Sequence, residues 1–243
     1  MNSRAILITG ANGGIGAATT RFFLERDETC HVYLGIRSGR EKADAIAAEY
    51  PGRCGILALD VTRAEDWETA LAQVAAEGRV ITVLVNNAGH HDDHLLATMP
   101  AASWTGVIDS NLHAAFHGCQ SVLRGMMGER FGRIVNISSL SALLAPAGQT
   151  NYAAAKAGLI AMTQSLAKET ARIGITVNAI CPGYIGTDAL GEMDETAAKE
   201  RKKAIPMRRF GRPEEVAAAV FFLAGEDAAY ITGATLKIDG GIF

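Results

Sequence analysis

The chain has 243 residues, 49% of them hydrophobic and 20% charged, with 23 basic and 26 acidic side chains giving a formal charge of −3. That composition excludes an intrinsically disordered chain. Its slightly acidic balance speaks against nucleic acid as the main partner, because phosphate binding needs a basic face.

Short runs rich in Val, Ile and Leu predict seven strands: Arg4–Thr9, His31–Ile36, Cys54–Leu59, Val80–Val85, Gly132–Ser138, Ile175–Cys181 and Ala234–Ile238. They are nearly continuous rather than alternating, as in strands covered on both faces. Between them, amphipathic stretches predict helices over Gly14–Arg26, Glu41–Tyr50, Ala64–Glu77, Ala101–Arg130, Asn151–Ile173 and Pro213–Ala224. The last opens on Pro213-Glu214-Glu215, a proline and two acids suited to a helix start. This alternation predicts an α/β protein: a doubly wound, seven-stranded parallel sheet with helices on both faces. No linker or repeat divides it, so residues 1–243 are expected to form one dinucleotide-binding and catalytic domain. Residues 184–212 are charged, carry no strand signal and are the candidate substrate lid.

The apolar run Ala5–Ile8 near the N-terminus is too short for a signal-peptide core, and no stretch approaches the ~20 apolar residues of a membrane span. Cys30, Cys54, Cys119 and Cys181 have no Cys-x-x-Cys spacing, which speaks against a zinc ribbon or redox pair and points to reduced thiols. A cytoplasmic protein is expected.

The first strand runs into Thr9-Gly10-Ala11-Asn12-Gly13-Gly14-Ile15-Gly16. Glycines after a strand and at the start of a helix suit a pyrophosphate. Gly10 permits the tight turn, Gly14 lets backbone approach the anion, and Gly16 lets helix and strand pack closely. Residues Gly10, Asn12, Gly13, Gly14, Ile15 and Gly16 are therefore candidate cofactor contacts. The second strand ends in Leu34-Gly35-Ile36-Arg37-Ser38, with Arg37 where an NAD-specific site usually has a carboxylate. A cation there favours NADP(H) over NAD(H). Arg40 is a possible second cation. After the third strand Asp60 is assigned to the adenine amino group, with Val61 beside it as a cofactor contact, and after the fourth Asn86-Asn87-Ala88-Gly89 is expected to support the cofactor ribose and lock the central strand.

The fifth strand ends at Ser138-Ser139, and the next helix carries Tyr152 and Lys156 one turn apart. An ammonium beside a phenol is expected to lower the phenol's pKa and fit it to protonate a carbonyl oxygen, with Ser139 bonding that same oxygen. Asn111 is expected to kink its long helix, hold a water and feed protons to Lys156.

In their order and spacing, Thr9–Gly16, Asn86–Gly89, Asn111, Ser139, Tyr152-x-x-x-Lys156 and Pro182-Gly183 resemble the short-chain dehydrogenases/reductases over essentially the whole chain. Within that family the chain is most similar to bacterial 3-oxoacyl-[acyl-carrier-protein] reductases, through Gly148–Gly158, Gly174–Asn178 and Tyr230–Gly241. The resemblance implies a Rossmann fold and a catalytic tetrad of Asn111, Ser139, Tyr152 and Lys156. It implies that Lys156 holds the nicotinamide ribose, with Pro182, Gly183, Ile185 and Thr187 around the nicotinamide. It also implies a homotetramer and NADPH-dependent reduction of a 3-oxoacyl thioester, in fatty-acid or polyketide- and polyene-type synthesis. Arg130 is where the family has one carrier-docking arginine. Ile173 takes the place of the other, with Arg172 displaced by one. Gly13 replaces a frequent arginine, and His90-His91-Asp92-Asp93-His94 replaces Ile-Thr-Arg-Asp-Asn at the substrate rim.

Two other functions are weighed: dehydrogenation of another secondary alcohol such as a sugar, steroid or hydroxy acid, and a non-catalytic nucleotide-sensing module. The rim histidines and the pair His113 and His117 lack metal-ligand spacing, so no metal is expected. His91 or His94 is expected to touch substrate. Met193, Met207, Phe221 and Phe222 are assigned to core or lid packing.

Overall fold

The computed structural model describes residues 4–187 and 194–243. The strands are β1 (Ala5–Thr9), β2 (His31–Ile36), β3 (Cys54–Ala58), β4 (Ile81–Asn86), β5 (Gly132–Ile137), β6 (Ile175–Pro182) and β7 (Thr235–Ile238). They form one sheet in the order β3-β2-β1-β4-β5-β6-β7, every pairing parallel. The expected strands are all present, with ends shifted by at most one residue. The order reverses between β1 and β4. At such a switch point the two neighbouring crossovers diverge and leave a crevice beyond the strand ends.

The helices are α1 (Gly14–Arg26), α2 (Arg40–Glu49), α3 (Ala64–Ala76), α4 (Ala101–Ile108), α5 (Ala114–Glu129), α6 (Ser141–Leu144), α7 (Thr150–Thr170), α8 (Glu195–Ala204) and α9 (Pro213–Leu223). Continuous apolar strands need cover on both faces, and they receive it. On one face Phe23 and Leu24 of α1 and Val216, Val220 and Leu223 of α9 pack on Ile6, Ile8, Val83 and Val135. On the other, Trp67 and Val74 of α3 and Cys119, Val122 and Met126 of α5 pack on Leu7, Leu84, Ile134 and Val177.

The single helix expected over Ala101–Arg130 is two helices separated by a wide π turn, Asp109–His113. A π turn admits one extra residue into the helical ladder, and the extra room is filled by the side chain of Asn111. The amide nitrogen donates to the carbonyl of Val107 at 2.8 Å and to that of His90 at 2.7 Å.

Phe221 and Phe222 do not share one role. Adjacent helical residues point about 100° apart. Phe221 packs on Phe22 and Phe23, with ring centroids 5.6 and 5.2 Å apart, whereas Phe222 is exposed. Met207 is also exposed rather than packed in a core. Met193 lies outside the described residues. In the expected lid, Ile185 bridges to Gly211, and α8 starts from Asp194, whose carboxylate accepts the Ala197 amide at 2.9 Å. No described helix is long and apolar enough to cross a membrane.

Candidate active site

The nucleotide end of the crevice is made mostly of backbone. Gly10 turns the chain with φ +62°, in the left-handed region open to glycine, and its N–H donates to the Gly35 carbonyl at 2.9 Å. A Cβ on Gly16 would run into the Gly10 carbonyl oxygen and stand 2.9 Å from the Ala11 Cα; one on Gly14 would meet the Thr187 Cγ2 at 2.6 Å. Asn87 fixes the turn from below. Its Nδ2 donates to the carbonyls of Thr9 at 2.9 Å and Gly10 at 3.2 Å. The Thr9 hydroxyl accepts the Asn87 and Ala88 amides at 3.0 Å each.

Asn12 reaches across instead. Its Nδ2 donates to the carbonyls of Ser38 at 2.7 Å and Gly39 at 3.2 Å, tying the glycine turn to the corner that carries Arg37. Asp60 accepts the Thr62 hydroxyl at 2.7 Å and its amide at 3.0 Å. Burial opposes its charge, but these bonds and the nearby Arg37 and Arg63 hold the carboxyl below its ordinary range. Gly10, Asn12, Gly13, Gly14, Ile15, Arg37, Asp60, Val61, Asn87, Ala88 and Gly89 all line one cavity of about 650 Å³ that ends at Tyr152 and Thr187. Gly16 faces inward and shapes the turn.

The chemical end is made of side chains. A second cavity of about 300 Å³ shares Ile15, Asn87, Gly89, Tyr152 and Thr187 with the first, and adds Asn111, Ser139, Lys156, Pro182, Gly183 and Ile185. All four expected tetrad members therefore meet in one pocket. Lys156 is buried, and its Nζ donates to the Ile137 carbonyl at 2.8 Å and sits 5.6 Å from the centroid of the Tyr152 ring. Burial pulls the Lys156 amine down to about 8.

The phenol itself departs from expectation. Burial raises the Tyr152 pKa, the Ser139 hydroxyl opposes this by hydrogen bonding, and the Asp93 carboxylate adds to the rise. The dry site penalises phenolate and ammonium alike, so proximity to a lysine does not by itself make the phenol more acidic. In this state Tyr152 is held protonated, the form that donates.

Asn111 Oδ1 is buried without a hydrogen-bond partner. It and Lys156 Nζ both flank Gly89, where a Cβ would collide with Asn111 Oδ1 and come within 3.5 Å of the Lys156 Nζ. An acceptor left open in a site this dry calls for a further donor.

Several residues hold this end in place, among them Ser138, Asn136 and Thr163, which sequence reasoning passed over, and Asn86, which locks the central strand and does not line the dinucleotide cavity. Ser138 Oγ donates to the Lys156 carbonyl at 2.9 Å. Asn86 Nδ2 donates to Asn136 Oδ1 at 2.8 Å, Asn136 Nδ2 to the Thr163 hydroxyl at 2.8 Å, and that hydroxyl to the Leu159 carbonyl at 2.8 Å, which joins β4, β5 and α7. The signal was in the sequence: an asparagine in a central strand covered on both faces must find a partner.

The rim sequence His90–His94 folds against the segment before α7. His90 Nδ1 lies 2.8 Å from the Ser110 hydroxyl, and His94 Nε2 lies 3.1 Å from Asp92. His113 pairs with Asp109 at 2.7 Å. Among the described residues no three His, Cys, Asp or Glu side chains gather as a metal site. Arg130 and Arg172 do not join the crevice. They precede β5 and β6, at the strand-start end of the sheet, whereas the crevice lies beyond the strands' carboxyl ends.

The crevice fits an extended dinucleotide. It is glycine-floored where a Cβ would close it, it has a cation at one end, and it reaches the tyrosine at the other. The comparisons with known proteins agree. A family profile described as "Enoyl-(Acyl carrier protein) reductase" matches residues 10–242. The chain is 42% identical over 244 residues to the 3-oxoacyl-[acyl-carrier-protein] reductase FabG of Vibrio harveyi, covering 100% of this chain and 98% of that one. It is 40% identical to the protein of the same name in Escherichia coli, covering 98% and 96%, and 40% identical to nodulation protein G of Azospirillum brasilense, covering 100% and 99%. The solved structure of a candidate gluconate dehydrogenase from Agrobacterium tumefaciens superposes with a TM-score of 0.93 at 29% identity, covering 99% of this chain and 96% of that one. By its seven-stranded crevice, its side-chain tetrad and its full-length relatives, the chain belongs to the short-chain dehydrogenase/reductase family.

Proposed function

We propose that this protein is an NADPH-dependent reductase of 3-oxoacyl thioesters that forms the 3-hydroxyacyl product. The observation that carries the reading is the meeting of Ser139, Tyr152 and a buried Lys156 at the inner end of the dinucleotide crevice. Bound NADPH supplies the hydride. Ser139 and Tyr152 donate hydrogen bonds to the ketone oxygen, and Tyr152 passes it a proton as negative charge develops there. Lys156 holds the ribose beside the nicotinamide and favours the phenolate left behind. A water between Asn111 Oδ1 and Lys156 Nζ satisfies the open acceptor and returns a proton toward the site.

The preference for NADPH rests on Arg37 and on the lack of a carboxylate at the end of β2. Pro182, Gly183, Ile185 and Thr187 form the nicotinamide wall of the pocket. Residues 1–243 act as one domain, with 184–212 as the substrate lid. The four cysteines are unpaired, which suits a reducing cytoplasm. We assign a homotetramer in which the α4–α5 and α7 faces pair; exposed Phe116 and Met127 of α5 support such a contact. The substrate is proposed to arrive on an acyl carrier protein. Docking through Arg130 and Arg172 then serves the crevice of a neighbouring copy, since both stand at the far end of their own sheet.

The test follows NADPH oxidation with acetoacetyl thioesters. Tyr152→Phe is expected to lose about a thousandfold in kcat, within the usual contribution of a positioned general acid, while cofactor affinity stays within about twofold. Full turnover in that variant breaks the proton-donor assignment. Turnover confined to sugar acids or polyols would favour a dehydrogenase of the kind named for the structural neighbour.

A further inference from the structure

The catalytic pocket has one polar wall that the reduction does not use. His91 lines the pocket with Ser139 and Tyr152, and its ring stands edge-on to the Tyr152 ring, with centroids 5.9 Å apart at 65°. The ring is exposed but braced. Its Nδ1 lies 3.1 Å from Asp93 Oδ1, and Asp93 Oδ2 accepts the Gln149 Nε2 at 2.8 Å. Gln149 Oε1 accepts the Ser141 hydroxyl at 2.8 Å, and the Ser141 amide donates to Ser139 Oγ at 3.1 Å. Hydrogen-bonded residues thus link the catalytic serine to the imidazole through Ser141, Gln149 and Asp93. The His94 amide, donating to the Gly148 carbonyl at 2.9 Å, and Asn151 Nδ2, donating to the Asp92 carbonyl at 3.0 Å, fasten the same loop to the start of α7 and the turn before it.

This bracing fixes the chemistry that His91 offers. A carboxylate only accepts, so the proton of a neutral imidazole sits on Nδ1 and Nε2 is left as a lone-pair acceptor. The negative charge behind the ring strengthens that acceptor. Ser139 and Tyr152, by contrast, face the ketone as donors. A substrate seated on Ser139 and Tyr152 therefore meets a pocket side that wants a hydrogen from it.

Resting on the reductase reading above, we propose that His91 is a specificity-determining residue. It accepts a hydrogen bond from an N–H or O–H group borne by the substrate beside the reacting ketone, with Asp93 and Gln149 as its positioning residues. In an acyl thioester of a pantetheine-type carrier, the group of that chemistry nearest the reacting carbons is the first amide N–H beyond the sulfur.

The experiment compares two 3-oxo thioesters that differ in that group: the acetoacetyl thioester of N-acetylcysteamine, which carries the amide, and the acetoacetyl thioester of ethanethiol, which does not. Both are assayed with wild type, His91→Ala and His91→Gln, with cofactor affinity measured as a control for folding. His91→Ala is expected to lower kcat/KM about tenfold on the amide-bearing thioester, mainly through KM, the size expected for one good hydrogen bond. It should leave the ethyl thioester within about twofold. His91→Gln, whose amide oxygen still accepts, should recover most of the loss. Equal losses on both substrates would assign His91 a purely structural role and overturn the inference, as would no loss on either. If wild type binds NADPH but reduces neither substrate, the reductase reading fails and this inference fails with it. If wild type reduces both and His91→Ala is silent, the inference alone fails.

Discussion

The two ends of the crevice are built in opposite ways. The nucleotide end owes its shape to missing side chains: Gly10, Gly14 and Gly16 leave backbone bare, and a Cβ at the last two would strike neighbouring atoms. The chemical end owes its shape to side chains that are present and costly, among them a buried lysine and an asparagine oxygen with no partner. The difference teaches where each end is fragile. The first is damaged by adding atoms and the second by removing them.

The largest effect is expected from removal. Lys156→Met should lower kcat by about a thousandfold in the thioester assay, because Tyr152 then loses the charge that favours its phenolate. The same variant should be more stable. Burial holds the folded amine near 8 against 10.5 for a free lysine, so charging it costs stability throughout the range below about pH 8. That cost fades as pH rises from about 8 to 10.5. Allowing for the lost bond to the Ile137 carbonyl, the gain at pH 7 is about 1–2 kcal/mol, and it should vanish above pH 10.5. Denaturant unfolding at several pH values checks this; a variant less stable than wild type at pH 7 would break the contrast.

Addition comes next. Gly16→Ala places a methyl group against the Gly10 carbonyl and is expected to weaken cofactor binding about a hundredfold, with a thermal midpoint several degrees lower. A cofactor titration that matches wild type would show that the turn has slack.

Two side chains at the nucleotide end sharpen the comparison. Arg37→Asp should weaken NADPH by about ten- to a hundredfold, the range of one charge-assisted bond, and leave NADH within about threefold. Equal weakening of both would place the 2′-phosphate elsewhere. The smallest effect is expected of Asn12→Ala. It unties the glycine turn from Ser38 and Gly39 and should weaken both cofactors about threefold, since it removes a brace at the exposed edge of the site.

The same division governs what could be read from the sequence. Apolar strands covered on both faces and glycines after β1 leave local, periodic signals, so the sheet and its crevice were legible from residue order alone. Tyr152 and Lys156 one turn apart were legible too, as was an irregular helix near Asn111. What escaped is set by environment rather than by neighbours in the chain. The expected fall in the Tyr152 pKa reversed because burial, which no spacing reveals, outweighs proximity to the lysine. Asn136 bonding to Thr163 across β5 and α7, and Asn12 reaching Ser38, depend on contacts 27 and 26 positions apart.

The π turn at Asp109–His113 has a consequence for how this chain can change. It adds one residue to the helical ladder, so everything after it is rotated by about 100° relative to an uninterrupted helix. Cys119, Val122 and Met126 reach the sheet only in that phase. Deleting a single residue there would straighten the rod and swing its oily stripe away from the interior. The bulge that seats Asn111 and the burial of α5 are thus locked to each other, and no one-codon deletion can undo the first without exposing the second.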